Sequence, residues 1–262
     1  MRGCHNDTSM HVDRDPPINS TAMSLDVVET VHELGGATLS ELVEQFDTPR
    51  STVHDHLKTL TEAGYLVTDG RTYRVSVRFL NLGGRARAET DLFQVAEGEL
   101  KQLANDTGEH ANLMVEENGR GVFLYKVKGS QSVNLDTYEG KEVALHTTAM
   151  GKTILAEMDE RRRTEIVAEH GLDPVTPQTI TDEVALEEEL ATIRERGYAT
   201  DNEERLEGIR CVAAPITTDE GVVGAVSVSA PKSRMNGDRF EETIPSAVRN
   251  TANIIEVNLQ YA

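Results

Sequence analysis

The sequence predicts an α+β protein: three short helices closed by a β-hairpin, a linker helix, and an antiparallel sheet with flanking helices. Three observations carry that expectation. Residues 20–60 repeat apolar side chains every three or four positions, with turn signals between the repeats. Residues 110–138 and 210–229 instead alternate in strand fashion, around Asn118-Gly119 and Asp219-Glu220-Gly221. Helical periods then fill residues 148–158, 160–170, 182–196 and 238–260, which pack on the sheet rather than form crossovers of a parallel one.

Taken in order, residues 1–20 are polar, hold Pro16-Pro17 and show no period, so a disordered tail is expected. Cys4, His5 and His11 lie in that tail without a fourth ligand or a frame, and they are not read as a metal site. A first helix over residues 20–35 turns Leu25, Val28, Val31 and Leu34 inward. Thr38-Leu39-Ser40-Glu41 is a capping box that opens a second helix, with Leu39, Leu42, Val43 and Phe46 inward. For the third helix, Asp47 or Thr48 can cap and Pro49 suits the first helical position. Val53, Leu57 and Leu60 form its buried stripe, while Arg50, Ser51, Thr52, His54, Asp55 and Lys58 crowd the other face. A recognition helix needs such a face, because the residues of its first turns reach base edges in a major groove. Ala63-Gly64 stops it, Asp69-Gly70 signals a hairpin turn, and Arg71 and Arg74 are placed on that hairpin for phosphates. Residues 21–82 therefore read as a winged helix-turn-helix.

Residues 83–106 are expected as a linker helix, with Gly83-Gly84 as a break or a bend. Phe79, Leu80 and Leu82, followed by Leu92, Phe93, Val95, Ala96, Leu100 and Leu103, give this region more apolar surface than a lone helix buries. The surplus packs against a second copy or against the chain's own domains. Residues 107–262 form the remaining domain, with strands expected at 110–116, 121–128, 133–138, 143–146, 210–217 and 222–229.

Charge bounds the function. The formal net charge is −19, from 45 acidic against 26 basic residues, which excludes nucleic-acid binding through overall positive charge. Residues 47–87 are the exception, with seven basic side chains against four acidic, a net of +3 on the suspected DNA-reading segment. Seven lysines against nineteen arginines, with so much acid, suggest a salt-rich, halophilic cytoplasm. Two cysteines make no disulfide framework, which fits a reducing compartment. No apolar run approaches about 18 residues and no signal peptide is seen, so a cytoplasmic protein without a membrane part is expected.

Several catalytic signatures fail. Gly151-Lys152-Thr153 imitates the end of a P-loop, but His146 stands where the loop needs glycine. No G-x-S-x-G elbow exposes a serine. His110, His146 and Cys211 fit no standard zinc spacing. No catalytic residue, metal or cofactor is assigned. Ser227 and Ser229 lie two apart among valines, so both hydroxyls share one strand face. Either they bond to backbone or a neighbouring helix, or they line a polar pocket closed by the helix N-terminus at residues 148–151, whose free N–H groups favour an anion.

The chain resembles the IclR family of transcription regulators over nearly its whole length. Leu39-Ser40-Glu41-Leu42, Ser51-Thr52-Val53-His54 and Glu62-Ala63-Gly64-Tyr65-Leu66 resemble the family's DNA-binding half. Residues 145–152, 196–204, 208–216 and 224–229 resemble its effector half. The resemblance implies a GAF-like ligand domain and assembly as a homodimer or dimer of dimers on a double-stranded operator. It also implies a small organic-acid effector held at the positions of Ala149, Met150, Asp201, Cys211, Ser227 and Ser229. Small-acid sensors of the family carry Gly then Ala where this chain has Ala149 then Met150, and the family as a whole more often has a basic residue where this chain has Asp55. The expected function is ligand-responsive transcription regulation. The alternatives are a small-molecule enzyme with a winged-helix docking domain, which turnover would reveal, and a zinc-dependent sensor, which metal analysis would reveal.

Overall fold

Val27, Val31, Leu42, Val53, Leu57 and Leu66 are sealed from water together, and their burial draws three helices and a small sheet into one core. The computed structural model describes residues 16–261. It divides into two units between Gly84 and Arg85. Most of the tail expected over residues 1–20 falls outside the described residues, but Asn19 and Ser20 already belong to helix α1 (Asn19–Glu33).

The first unit continues through β1 (Ala37–Thr38), α2 (Leu39–Val43), α3 (Arg50–Glu62), β2 (Leu66–Asp69) and β3 (Thr72–Val75). The capping box forms as expected: Thr38 Oγ1 accepts the Glu41 N–H at 3.4 Å, and Glu41 Oε2 accepts the Thr38 N–H at 2.7 Å. The start of α3 differs from expectation. Neither Asp47 nor Thr48 caps it; Pro49 itself is the N-cap, and its carbonyl accepts from Thr52 at 2.9 Å and Val53 at 3.3 Å. Proline suits the place because no intrahelical acceptor exists there for the N–H it lacks. Gly64, at φ +79°, turns the chain out of α3 so that Tyr65 N–H reaches the Leu60 carbonyl at 2.8 Å. The strand order β1-β3-β2 completes a winged helix-turn-helix.

The linker is not one helix. It comprises α4 (Phe79–Ala88) and α5 (Asp91–Thr107). The helix runs through Gly83-Gly84 and breaks instead at Thr90, whose extended φ −86°, ψ 116° make it the N-cap of α5. Docking decides the break: Leu92, Ala96, Leu100 and Leu103 bury their stripe in the second unit's core, fixing where α5 starts. Its apolar surplus is thus absorbed by its own domain, whereas Leu80 and Leu82 on α4 stay exposed.

The second unit holds β4 (His110–Glu117), β5 (Arg120–Val127), β6 (Glu142–Ala144), α6 (Ala149–Glu157), α7 (Glu160–His170) and α8 (Glu183–Arg196). β7 (Ala199–Asn202), β8 (Ile209–Thr218), β9 (Gly221–Pro231) and α9 (Ile244–Leu259) follow. Its sheet is antiparallel with order β6-β5-β4-β9-β8-β7. Two strand expectations need correction. Residues 133–138 form no strand; they run beside β5 held by side-chain contacts, such as Lys126 Nζ donating to the Thr137 carbonyl at 3.0 Å. The strand expected at 143–146 stops at Ala144 and gives way to a 3-10 turn over Leu145–Thr147. β7 was not expected from the sequence, being too short to show alternation.

Strand alternation splits this sheet into two chemically different faces. Val212, Ala214, Val226 and Val228 meet α5 and α9 on one side. On the other, Ala199, Ala213 and Ala225 are small enough for α6 to lie close. Among the described residues no helix is long and apolar enough to cross a membrane.

Candidate functional site

In the first unit, α3 points Val53, Leu57 and Leu60 into the core and leaves Arg50, Ser51, His54, Asp55 and Lys58 exposed, with Thr52 half-buried. Arg71 and Arg74 are exposed on the β2–β3 hairpin. The contacts on this face are loose: His54 to Asp55 at 3.7 Å, Lys58 to Glu62 at 3.9 Å and Arg74 to Asp69 at 3.9 Å. Solvated pairs of this kind hold a side chain weakly, so the face stays available. His56, by contrast, is an anchor: its Nδ1 lies 2.8 Å from Ser24 Oγ, tying α3 to α1.

In the second unit, register builds the site. Asp201, Cys211, Ser229 and His110 fall opposite one another in one cross-strand row. Ala199, Ala213, Ser227 and Asn112 make the next. Period-two alternation sends both rows to the face that α6 covers. Ala149, Met150, Asp201, Cys211, Ser227 and Ser229 all line a single cavity that opens to solvent. The structure therefore brings the six positions together.

Neither serine hydroxyl is tied to backbone. Asn112 Nδ2 donates to Ser227 Oγ and to Ser229 Oγ, each at 3.1 Å. Because both oxygens accept from the amide, both keep a proton to donate, Ser229 beside the Cys211 thiol and Ser227 toward the cavity. Asn112 escapes sequence reasoning although the same signal applies, a polar residue on the inward face of a largely apolar strand.

The helix end beside them is fixed by packing. Thr148 Oγ1 accepts the Gly151 N–H at 2.9 Å. A Cβ on Gly151 would stand 2.1 Å from the Leu145 carbonyl oxygen, so only glycine lets α6 fold back this tightly on the 3-10 turn. The cap serves the third helical amide, and the first two, of Ala149 and Met150, have no acceptor in the helix itself.

Asp201 closes the floor. Its Oδ1 accepts the Glu204 N–H at 2.7 Å. Burial first, and then the neighbouring Glu204 carboxylate, push its carboxyl up to about 7. Burial likewise pushes the Cys211 thiol far above the ordinary range, so it is present as a neutral thiol. Glu204 in turn meets Lys152, whose Nζ lies 2.7 and 2.6 Å from its two carboxylate oxygens. The lysine of the apparent P-loop ending is thus buried in an ion pair that secures the loop after β7. That loop contributes Arg205 and Leu206 to the cavity, and Phe123, Leu135 and Thr137 also line it. None of these five is marked by periodicity or motif.

His110 and His146 do not join Cys211. His110 Nε2 bonds the Val133 carbonyl and His146 Nε2 the Asp173 carbonyl, and among the described residues no three His, Cys, Asp or Glu side chains group around a metal position.

Comparison with known proteins covers both units. Residues 21–70 match the IclR helix-turn-helix domain, and residues 85–257 match the C-terminal domain of bacterial transcriptional regulator IclR. A probable HTH-type transcriptional regulator, ArcR, of Halobacterium salinarum is 38% identical over 94% of this chain and 95% of its own. The HTH-type transcriptional regulator BhcR of Paracoccus denitrificans is 34% identical over 85% of this chain and 81% of its own. The crystal structure of Thermotoga maritima IclR superposes with a TM-score of 0.74 at 30% identity, covering 92% of this chain and 98% of that one.

The raised Asp201 carboxyl has a thermodynamic consequence. Between its ordinary value of 3.8 and about 7 the folded chain holds a proton that the unfolded chain has released, so this group makes stability fall as pH rises through that window. Asp201→Asn keeps an oxygen for the Glu204 N–H and removes the charge. The variant is expected to be more stable than the parent at about pH 8 and to lose part of the slope between about pH 5 and 8. Urea midpoints of both proteins across that range check this; parallel curves would refute it.

Proposed function

The chain belongs to the IclR family of transcriptional regulators, and from that premise we propose that it binds a palindromic operator as a homodimer or dimer of dimers and releases or grips it on binding a small organic acid. The family is one of regulators and not of enzymes, so the ligand leaves unchanged. The observation that carries the ligand assignment is the cavity in which two hydroxyls, freed by Asn112, face the open amides of α6. Such donors suit a carboxylate. Met150 adds a pliable apolar wall where a smaller side chain would leave more room, which favours an acid with an apolar body over the smallest oxyacids. A ligand changes DNA affinity only when it binds two domain arrangements unequally.

DNA is read in this proposal by Arg50, Ser51, Thr52, His54, Asp55 and Lys58, with Arg71 and Arg74 on phosphates. Asp55 repels phosphate but accepts from a cytosine amino group, so it selects rather than strengthens. Arg50→Ala should cost about 1–3 kcal/mol on the operator and little on random DNA, whereas Arg71→Ala should weaken both alike. Fluorescence anisotropy with the two DNAs measures this, and an equal loss for both variants on both DNAs would remove the recognition-helix assignment.

A two-fold operator requires a two-fold protein. Leu80 at 75% exposure and Leu82 at 51%, on α4, support contact with a second copy. Light scattering in high salt at micromolar concentration should give at least twice the 28.8 kDa chain mass. A monomer there would sink the assembly proposed.

Replacing both serines tests the pocket. Ser227→Ala with Ser229→Ala should abolish the change in DNA affinity on adding ligand, while leaving unliganded DNA binding within about twofold of the parent. A double variant that still responds normally would overturn the assignment.

A further inference from the structure

Arg205 is the arginine that lines the cavity, and it does so without an ion pair among the described residues. Arg163 is held by Glu187, Arg196 by Glu189 and Arg234 by Glu109, each within 3.0 Å. Arg205 lines the cavity, yet among the described residues its guanidinium has no carboxylate and no hydrogen-bond acceptor; its contact is the Phe123 ring, with Cζ 5.7 Å from the centroid. What distinguishes it is its place: its positive charge borders the cavity that Ser227 and Ser229 also line.

The surroundings add to its charge. Lys126 lies behind Thr137 and donates to the Thr137 carbonyl at 3.0 Å. Its ammonium is pushed down to about 8, first by burial and then by Lys128 and Arg205, with Asp136 opposing. Asp201, the acid on the cavity floor, spends its carboxylate on the backbone amides of Glu204 and Arg205. It forms no ion pair with the guanidinium. The cavity is lined by two sets of anion-seeking groups: the hydroxyls of Ser227 and Ser229 with the N-terminus of α6, and Arg205. Phe123, Met150, Leu206 and Ile209 supply apolar wall to the same cavity.

We infer that the ligand is a dicarboxylic acid with an apolar middle, one carboxylate taken by the serine hydroxyls and α6 amides and the second by Arg205. This rests on the organic-acid reading and narrows it. A planar guanidinium without a partner matches a carboxylate in two parallel hydrogen bonds. A monocarboxylic acid of the same length fills the same space and leaves that fork unpaired.

Isothermal titration calorimetry of the full-length protein with succinate, glutarate and adipate, each beside the monocarboxylate of equal carbon number, tests it. At least one dicarboxylate should bind about tenfold or more tightly than its monocarboxylate partner. Arg205→Gln should bring that pair within about twofold by weakening the dicarboxylate alone, and Arg205→Lys should restore part of the difference. Equal binding of both acids to the parent, or an undiminished preference in Arg205→Gln, overturns the inference. If a monocarboxylate binds as well and shifts DNA affinity, the dicarboxylate assignment fails while the organic-acid reading stands. If none of these acids binds, or any binds without altering DNA affinity, the organic-acid reading fails with it.

Discussion

An ammonium is removed from water at great cost unless carboxylates meet it, and the second unit is arranged around one such ammonium. Lys152, 1% exposed, projects from α6 to Glu204 in the loop after β7 and lies 3.7 Å from Glu189 of α8. Losing one partner of a buried pair costs about 3–5 kcal/mol, mostly because the other charge is stranded. The pair therefore binds three separate stretches of chain to one another. Its consequences reach the cavity directly: the Glu204 backbone N–H occupies Asp201, and the next residue is Arg205. Thr176 and Thr179 reinforce the anchor by donating to the Glu204 carbonyl at 3.0 and 2.6 Å.

The helix-turn-helix half was legible because its signals are local. A capping box, a glycine at a helix end and an Asp-Gly turn each act within a few residues, and each forms where its residues stand. Pro49 shows the limit even there. Proline is acceptable at the cap and in the first turn alike, so composition left its role open by one residue. The cavity was legible in its strands for a similar reason: a polar pair with period two in an apolar run points to one face whatever the sheet order. Asn112 obeys that rule singly and so lacks the pair that makes the pattern visible.

The remainder depended on tertiary partners. Residues 133–138 alternate like a strand, yet toward β5 they accept from lysine side chains such as Lys126 rather than pairing in a ladder. The break between α4 and α5 follows from the docking of Leu92 and Ala96, not from Gly83-Gly84, where helix continues despite a propensity cost of about 1 kcal/mol for each glycine. Lys152 carried a familiar sequence signature and uses it for something else.

The central strands β8 and β9 serve two masters at once. Ser227 and Ser229 face the cavity, while Val226 and Val228 in the same stretch of backbone belong to the core built with α5, the helix that follows α4. Cavity and α5 are thus separated by the thickness of one sheet. Any strain imposed on the β9 backbone from one side is necessarily felt on the other, since alternate side chains hang from the same peptide groups. The cavity and the core beneath α5 are therefore joined by a single layer of peptide groups, with no intervening element between them.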